Sequence, residues 1–368
     1  MLPKILKFTD LFYNKILPKI DATPASEDDL FLLELNKIFS NYHGLSSMPN
    51  VDRSGTLKQK YNFGGNSTPV FDPHSNTSLE SILIARCNEL INKNKKIKFF
   101  WSGGIDSTMV LTWLMELTTV REQLEIYYTC DSVKANPMFV QEIMIRDFRI
   151  HLWSDVWVEL FDVGDLVLTG MSADQLTASL DISFYEECKG WLFKPWQEYF
   201  ALKGKSESFI NKCHQIFSQC PVPIVTLINA RWWFYFYIRY NYWVYKDWEK
   251  NLENFDTGSV TCFFNTPEFN NWSMHNINNL VGNNFNTYKQ VFKDQTYKLW
   301  PNKNVADAMV KTDGNTPLMW CKKKMAVHNQ GYLFMYEDSY GKPKLFKNST
   351  YPFVNLNQLR DEIGTLNV

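Results

Sequence analysis

Between residues 102 and 108 the chain reads Ser102-Gly103-Gly104-Ile105-Asp106-Ser107-Thr108, directly after the apolar run Ile97-Lys98-Phe99-Phe100-Trp101. Residues of these types at this spacing can hold a phosphate. Glycines admit backbone angles that other residues resist, and they leave no side chain in a ligand's way. Successive N–H groups can then converge on one anion, and the amino end of a following helix adds partial positive charge. The hydroxyls of Ser102 and Ser107 offer further donors. Asp106 is out of place beside an anion unless a magnesium ion sits between them, a hard cation that carboxylate and phosphate oxygens share. The loop is not of the Walker type, which carries Gly-Lys-Ser/Thr. As a bare pattern, it also fits a glycine turn with Asp106 as a helix N-cap.

The elements that must position such a loop can be read on either side of it. Thr77 and Glu80 form a capping-box pattern that predicts a helix from about Leu79 to Asn92. Ile97–Trp101 predicts a buried strand, and Thr108–Leu117 a buried helix. Leu124–Cys130 predicts a second strand, Pro137–Phe148 another helix, and Asp165-Leu166-Val167-Leu168-Thr169-Gly170 a strand ending in a turn. Strands alternating with helices imply an α/β fold with a parallel sheet and right-handed crossovers. Ligands on such sheets bind at the strand carboxyl ends, where the turns at Gly103-Gly104 and Gly170 fall.

The six residues Ser102-Gly103-Gly104-Ile105-Asp106-Ser107 resemble the Ser-Gly-Gly-x-Asp-Ser signature of the PP-loop ATP pyrophosphatases. The resemblance implies a Rossmann-like, adenine nucleotide α-hydrolase-like fold that binds ATP and cleaves it between the α and β phosphates. Ser102, Gly103, Gly104, Asp106, Ser107, Thr108 and Gly170 would then be nucleotide-binding residues. Val167-Leu168-Thr169-Gly170-Met171-Ser172-Ala173-Asp174-Gln175-Leu176 resembles a segment of the asparagine synthetase and β-lactam synthetase family. That likeness implies that Asp106 and Asp174 hold magnesium; read from its own surroundings, Asp174 is equally a helix cap. The approach through Ser78-Leu79-Glu80-Ser81-Ile82-Leu83 is similar to the same family. Leu299-Trp300-Pro301 followed by Val310-Lys311-Thr312-Asp313-Gly314 resembles a later segment of it and implies a catalytic role for Lys311. Lys311 also reads as a solvated lysine beside a turn.

The departures bear on activity. Met171 stands where asparagine synthetases carry a glutamate, and a thioether cannot act as a base. Gln175 replaces a second acid. The chain opens Met-Leu-Pro, where a glutaminase domain would need a cysteine nucleophile, so no glutaminase half is expected. The resemblance therefore implies an asparagine-synthase-like AMP-forming ligase, with a catalytically degenerate nucleotide-binding protein or sensor as the alternative.

Composition sets the outer bounds. The chain has 368 residues, 45% hydrophobic and 21% charged, which suits a folded globular protein. Its 38 basic and 39 acidic residues nearly cancel, giving no broad reason to expect nucleic acid as a partner. The seven scattered cysteines include no CxxC, which argues against a disulfide framework, and Cys213-His214 with Cys220 lacks a fourth metal ligand at a usual spacing. No run approaches membrane-span length and no signal peptide is recognisable, so a cytoplasmic protein is expected.

Four consecutive stretches follow from the patterning: a helical and loop extension over 1–76, a nucleotide-binding core over 77–190, a mostly helical aromatic region over 191–330, and a hairpin with a short helix over 331–368. Ser26-Glu27-Asp28-Asp29 signals a helix start, with Leu30, Leu33, Leu35 and Ile38 as its apolar stripe. Trp232, Phe236, Tyr240 and Trp243 share one helical face. Either they fill an aromatic core or they wall a pocket for a flat or apolar small-molecule acceptor, with Arg231 or Arg239 pairing its acidic group.

Overall fold

The computed structural model describes residues 27–39, 52–57, 68–128, isolated positions between 132 and 146, 148–152, 165–180, 182–238, 260–279 and 287–300, and the backbones of 332–336 and 343–347. In chain order the elements begin with α1 (Glu27–Phe39), α2 (Leu79–Ile91), β1 (Ile97–Trp101), α3 (Ile105–Leu117), β2 (Leu124–Tyr128), β3 (Arg149–Leu152) and β4 (Leu166–Thr169). Next come α4 (Ala173–Leu176), α5 (Ile182–Cys188), α6 (Trp196–Leu202), α7 (Glu207–Phe217) and α8 (Leu227–Trp233). The last are β5 (Val260–Cys262), α9 (Pro267–Asn276), α10 (Gln290–Leu299), β6 (Tyr332–Tyr336) and β7 (Pro343–Lys347).

The chain divides into two compact units, each discontinuous, whereas the sequence alone suggests four consecutive stretches. The sheet unit comprises Ser78–Met171, Gly258–Phe264 and Asn286–Val368; the helical unit comprises Met1–Thr77, Ser172–Thr257 and Asn265–Phe285.

In the sheet unit, five strands pair in the order β3-β2-β1-β4-β5, every pair parallel. This is the expected α/β arrangement with a parallel sheet. Side chains alternate faces along a strand. Ile97, Phe99 and Trp101 of β1 lie in register with Leu124, Ile126 and Tyr128 of β2, and Ile97 and Phe99 with Leu166 and Leu168 of β4. The opposite face carries Lys98, Phe100, Glu125, Tyr127, Arg149 and His151. There the Tyr127 ring stacks against both Phe100 (5.3 Å) and His151 (4.6 Å). Buried charges need partners: Lys98 pairs with Asp165 at 2.7 Å, and Glu125 accepts from the Tyr127 hydroxyl at 3.2 Å and faces Lys96 at 3.2 Å.

The helix before β1 is capped by Ser78, not by Thr77 as its spacing to Glu80 predicts. The Ser78 hydroxyl accepts the Ser81 amide at 3.2 Å, which places the cap one residue later. α3 starts at Ile105, earlier than the predicted Thr108, because Gly104 already adopts the extended N-cap backbone. It is buried from Ser107 to Met115 and packs along α2, β1 and α10. Two short strands, β3 and β5, have no counterpart among the predicted elements, and the helix predicted over Pro137–Phe148 falls mostly outside the described residues. β6 and β7 form the expected antiparallel hairpin.

In the helical unit, α1 turns Phe31, Leu32, Leu35, Ile38 and Phe39 inward and leaves Leu30 half exposed. Of the predicted stripe, Leu35 and Ile38 are buried and Leu30 is not, and spacings of four and seven from Phe31 set the buried face. Ion pairs Lys205–Glu34 (2.6 Å) and Lys212–Asp28 (2.7 Å) and the Phe31–Phe209 ring contact hold α1 against α7 and the turn before it. α8 runs into a π-helical turn, Phe234–Ile238, where Trp232 stacks on Phe236 at 4.6 Å, both fully buried. These two rings fill a core. Tyr240, Trp243 and Arg239 lie outside the described residues.

Among the described residues no helix is long and apolar enough to cross a membrane.

Candidate functional site

The turn between β1 and α3 falls where the strand order reverses, since β2 and β3 continue to one side of β1 while β4 and β5 lie on the other. In open parallel sheets the crevice outside the strand ends at such a reversal receives ligands. Both Gly103-Gly104, after β1, and Gly170, after β4, stand at this position.

Gly103 has φ +80°, in the left-handed region, and a Cβ there would stand 2.2 Å from the Ser132 carbonyl oxygen and 2.8 Å from the Ala135 Cβ. Only glycine satisfies both limits. Gly170 plays a different part. A Cβ there would meet the Ser107 Cα at 3.0 Å, so its bareness lets the end of β4 close on the first turn of α3.

Hydroxyls knit the loop. The Ser102 and Ser107 Oγ atoms lie 2.9 Å apart, Ser107 Oγ accepts the Ser102 amide at 3.2 Å, and Ser132 donates to the Trp101 carbonyl at 2.7 Å. Thr108 is fully buried, and its hydroxyl accepts the Trp101 indole N–H at 3.0 Å, so it braces strand to helix from within. Ser102 and Gly104 are exposed. The first amides of the thirteen-residue α3 have no carbonyl four residues back inside the helix, and they point out of its amino end towards this turn.

The charge beside the loop is one that the sequence did not reveal. The Lys289 ammonium donates to the Asp106 carboxylate. Lys289 precedes α10, is 3% exposed, and holds φ +57°. For a residue other than glycine that backbone costs on the order of 1 kcal/mol and persists only where the surroundings fix it. The ammonium also lies 5.7 Å from the centre of the buried Tyr288 ring. One turn further, Lys293 is buried, and burial pushes its ammonium below the usual lysine range, with Asp294 opposing. No glycine, cap residue or motif marks Lys289 in the sequence. The sequence reading expects magnesium on Asp106, whereas the structure seats a lysine there.

Asp174 sits in the first turn of α4, in the helical unit, after Ser172 in the left-handed region at φ +75°. Asp106 belongs to the sheet unit, so neither unit by itself holds the expected pair. Met171, on the sheet unit, has its side chain out in solvent, and its carbonyl accepts the Cys262 thiol at 2.7 Å. Lys311 lies outside the described residues. Arg231, a candidate for an acceptor's acidic group, is fully buried in the helical unit. Its guanidinium donates to the carbonyls of Ala178 (3.0 Å), Ser179 and Phe39 and lies over the Phe184 ring, which commits it to structure.

The chain is matched by no protein-family model, by no curated protein and by no solved structure.

The loop's residues fit a phosphate: a glycine whose Cβ has no room, exposed hydroxyl and amide donors, and the amino end of a long buried helix. They do not fit magnesium in the same way. Asp106 already carries an ammonium, and among the described residues no group of three or more His, Cys, Asp or Glu side chains gathers that could hold a metal. A hard cation wants several oxygen ligands.

Proposed function

We propose that the sheet unit is a Rossmann-like PP-loop fold that binds ATP on Ser102–Ser107, and that the protein is an AMP-forming ligase of asparagine-synthase type. The observation that carries this reading is Gly103, held at φ +80° with no room for a Cβ, in the turn where the parallel strand order reverses. Backbone conformations and close approaches of this kind let amides reach a polyphosphate.

In the proposed reaction a carboxylate oxygen of the substrate bonds to the α phosphorus, and the bond to the β phosphate breaks. An amine nitrogen then bonds to the acyl carbon, AMP leaves, and the amine proton passes to solvent. The chain's own part is electrostatic. The loop amides and the Ser102 and Ser107 hydroxyls hold the departing pyrophosphate, whose charge grows as the bond breaks, and fixed dipoles aimed at developing charge are the largest catalytic contribution in most enzymes. Lys311 is the proposed cationic partner of that charge.

Incubating the purified protein with ATP and candidate acid–amine pairs is expected to yield AMP and pyrophosphate in equal amounts. Formation of ADP alone contradicts the reading. A second reading, a nucleotide-binding protein without turnover, is favoured by Met171 in place of a catalytic glutamate and by the lysine already seated on Asp106. It predicts ATP binding with no AMP from any acid–amine pair.

A further inference from the structure

Asp106 is the second residue of α3, at the end that faces the phosphate loop, and its carboxylate is paired with the lysine that immediately precedes α10. Beside a bound polyphosphate a bare carboxylate repels. Something positive must stand there, and the structure already contains it. Lys289 is brought in by α10, which packs along α3, and is held in a left-handed backbone that a lysine rarely adopts. Strain of this kind gathers at functional positions.

We propose that Lys289 is the resident counter-charge of the phosphate loop and a phosphate-binding residue, so that a nucleoside triphosphate binds the sheet unit without a divalent cation. The inference rests on reading the loop as a phosphate cradle. A carboxylate that carries an ammonium is neutralised, and a divalent ion approaching it meets like charge at short range. An ammonium is compact and has three donors on a flexible stem. It can keep one hydrogen bond to Asp106 while directing others to phosphate oxygens, or leave Asp106 when the more highly charged triphosphate arrives. Asp106 thereby acts as a placeholder that keeps the buried ammonium charged and aimed while the loop is empty. The same pair that excludes a metal prepares the site for an anion.

The sign of one substitution separates this arrangement from a metal bridge. Asp106→Asn is nearly isosteric and removes the competitor for Lys289. The test is calorimetric titration of the full-length protein with ATP, once in EDTA and once in magnesium chloride. Wild-type affinity in EDTA is expected within about threefold of that in magnesium. Asp106→Asn is expected to tighten binding in EDTA by about threefold or more. Lys289→Met is expected to weaken it by about tenfold or more, and Lys289→Arg, which keeps the charge, by less. A circular dichroism spectrum checks that Lys289→Met is folded; if it is not, the Asp106→Asn result decides.

Binding that EDTA abolishes and magnesium restores overturns the proposal, as does weaker binding by Asp106→Asn in both media. No ATP binding by the wild type in either medium overturns the phosphate-loop reading itself, and this inference with it.

Discussion

Gly103, Gly55 and Gly204 share nearly the same left-handed backbone, with φ between +69° and +80°, yet their surroundings differ. Nothing lies within 4 Å of a Cβ built on Gly55 or Gly204, whereas one on Gly103 would collide with the Ser132 carbonyl. The comparison separates backbone strain from steric exclusion. Gly204→Ala is expected to cost about 1 kcal/mol, from its dihedral alone. Gly103→Ala adds overpacking and is expected to cost about 2–5 kcal/mol. Thermal melting checks this: the Gly103 variant should melt about 5 °C lower or more, and the Gly204 variant well under that. Equal melting temperatures would mean that the loop yields at Ser132 and is not a rigid cradle. Thr108 makes a related point. The sequence places it with the phosphate ligands, but its hydroxyl serves the Trp101 indole inside the protein, a contact that six intervening residues conceal.

At the scale of elements, α1 is held partly by charge. The Glu34 carboxyl is held below the usual glutamate range, first by its hydrogen bond to Lys205 and then by that to Lys37. A carboxyl lowered on folding contributes stability that is present above its unfolded value, about 4.3, and is lost as pH falls through the folded value. The protection factors of the α1 amides, which correct for the intrinsic pH dependence of exchange, are therefore expected to fall below about pH 4, and Glu34→Gln should show slightly lower protection already at neutral pH with less further fall in acid. The gain is modest because the pair is partly solvated.

Much of this framework was legible in advance. Ile97–Trp101 is apolar at every position but Lys98, and Ser102-Gly103-Gly104 ends it, so β1 stands as predicted. β4 and the hairpin β6–β7 were equally plain. β3 was not, because Arg149 and His151 read as surface residues until Glu125 and Tyr127 are seen beside them. β5 spans three residues, too few for any periodicity to register. The Ser102–Ser107 turn stands out in the sequence because its residues are contiguous; Lys289 does not, because it reaches Asp106 across 183 residues of sequence.

The whole molecule is threaded more than it is divided. Six stretches alternate between the two units, so the chain passes from one to the other five times. The sheet unit takes its edge strand β5 from the seven residues Gly258–Phe264 and its α10 from beyond residue 286. A fragment covering 78–171 therefore lacks both the strand that covers β4 and the helix that packs on α3. It is expected to remain largely unfolded, as circular dichroism of the isolated fragment would check; a cooperative melt would show that β1 to β4 suffice. The same threading bears on synthesis. As the polypeptide leaves the ribosome, β4 emerges about ninety residues before β5, and until then its outer edge offers unpaired backbone to any passing strand. Translation of that interval is thus a window in which the nascent chain is open to mispairing, and a chaperone that shelters strand edges would act there.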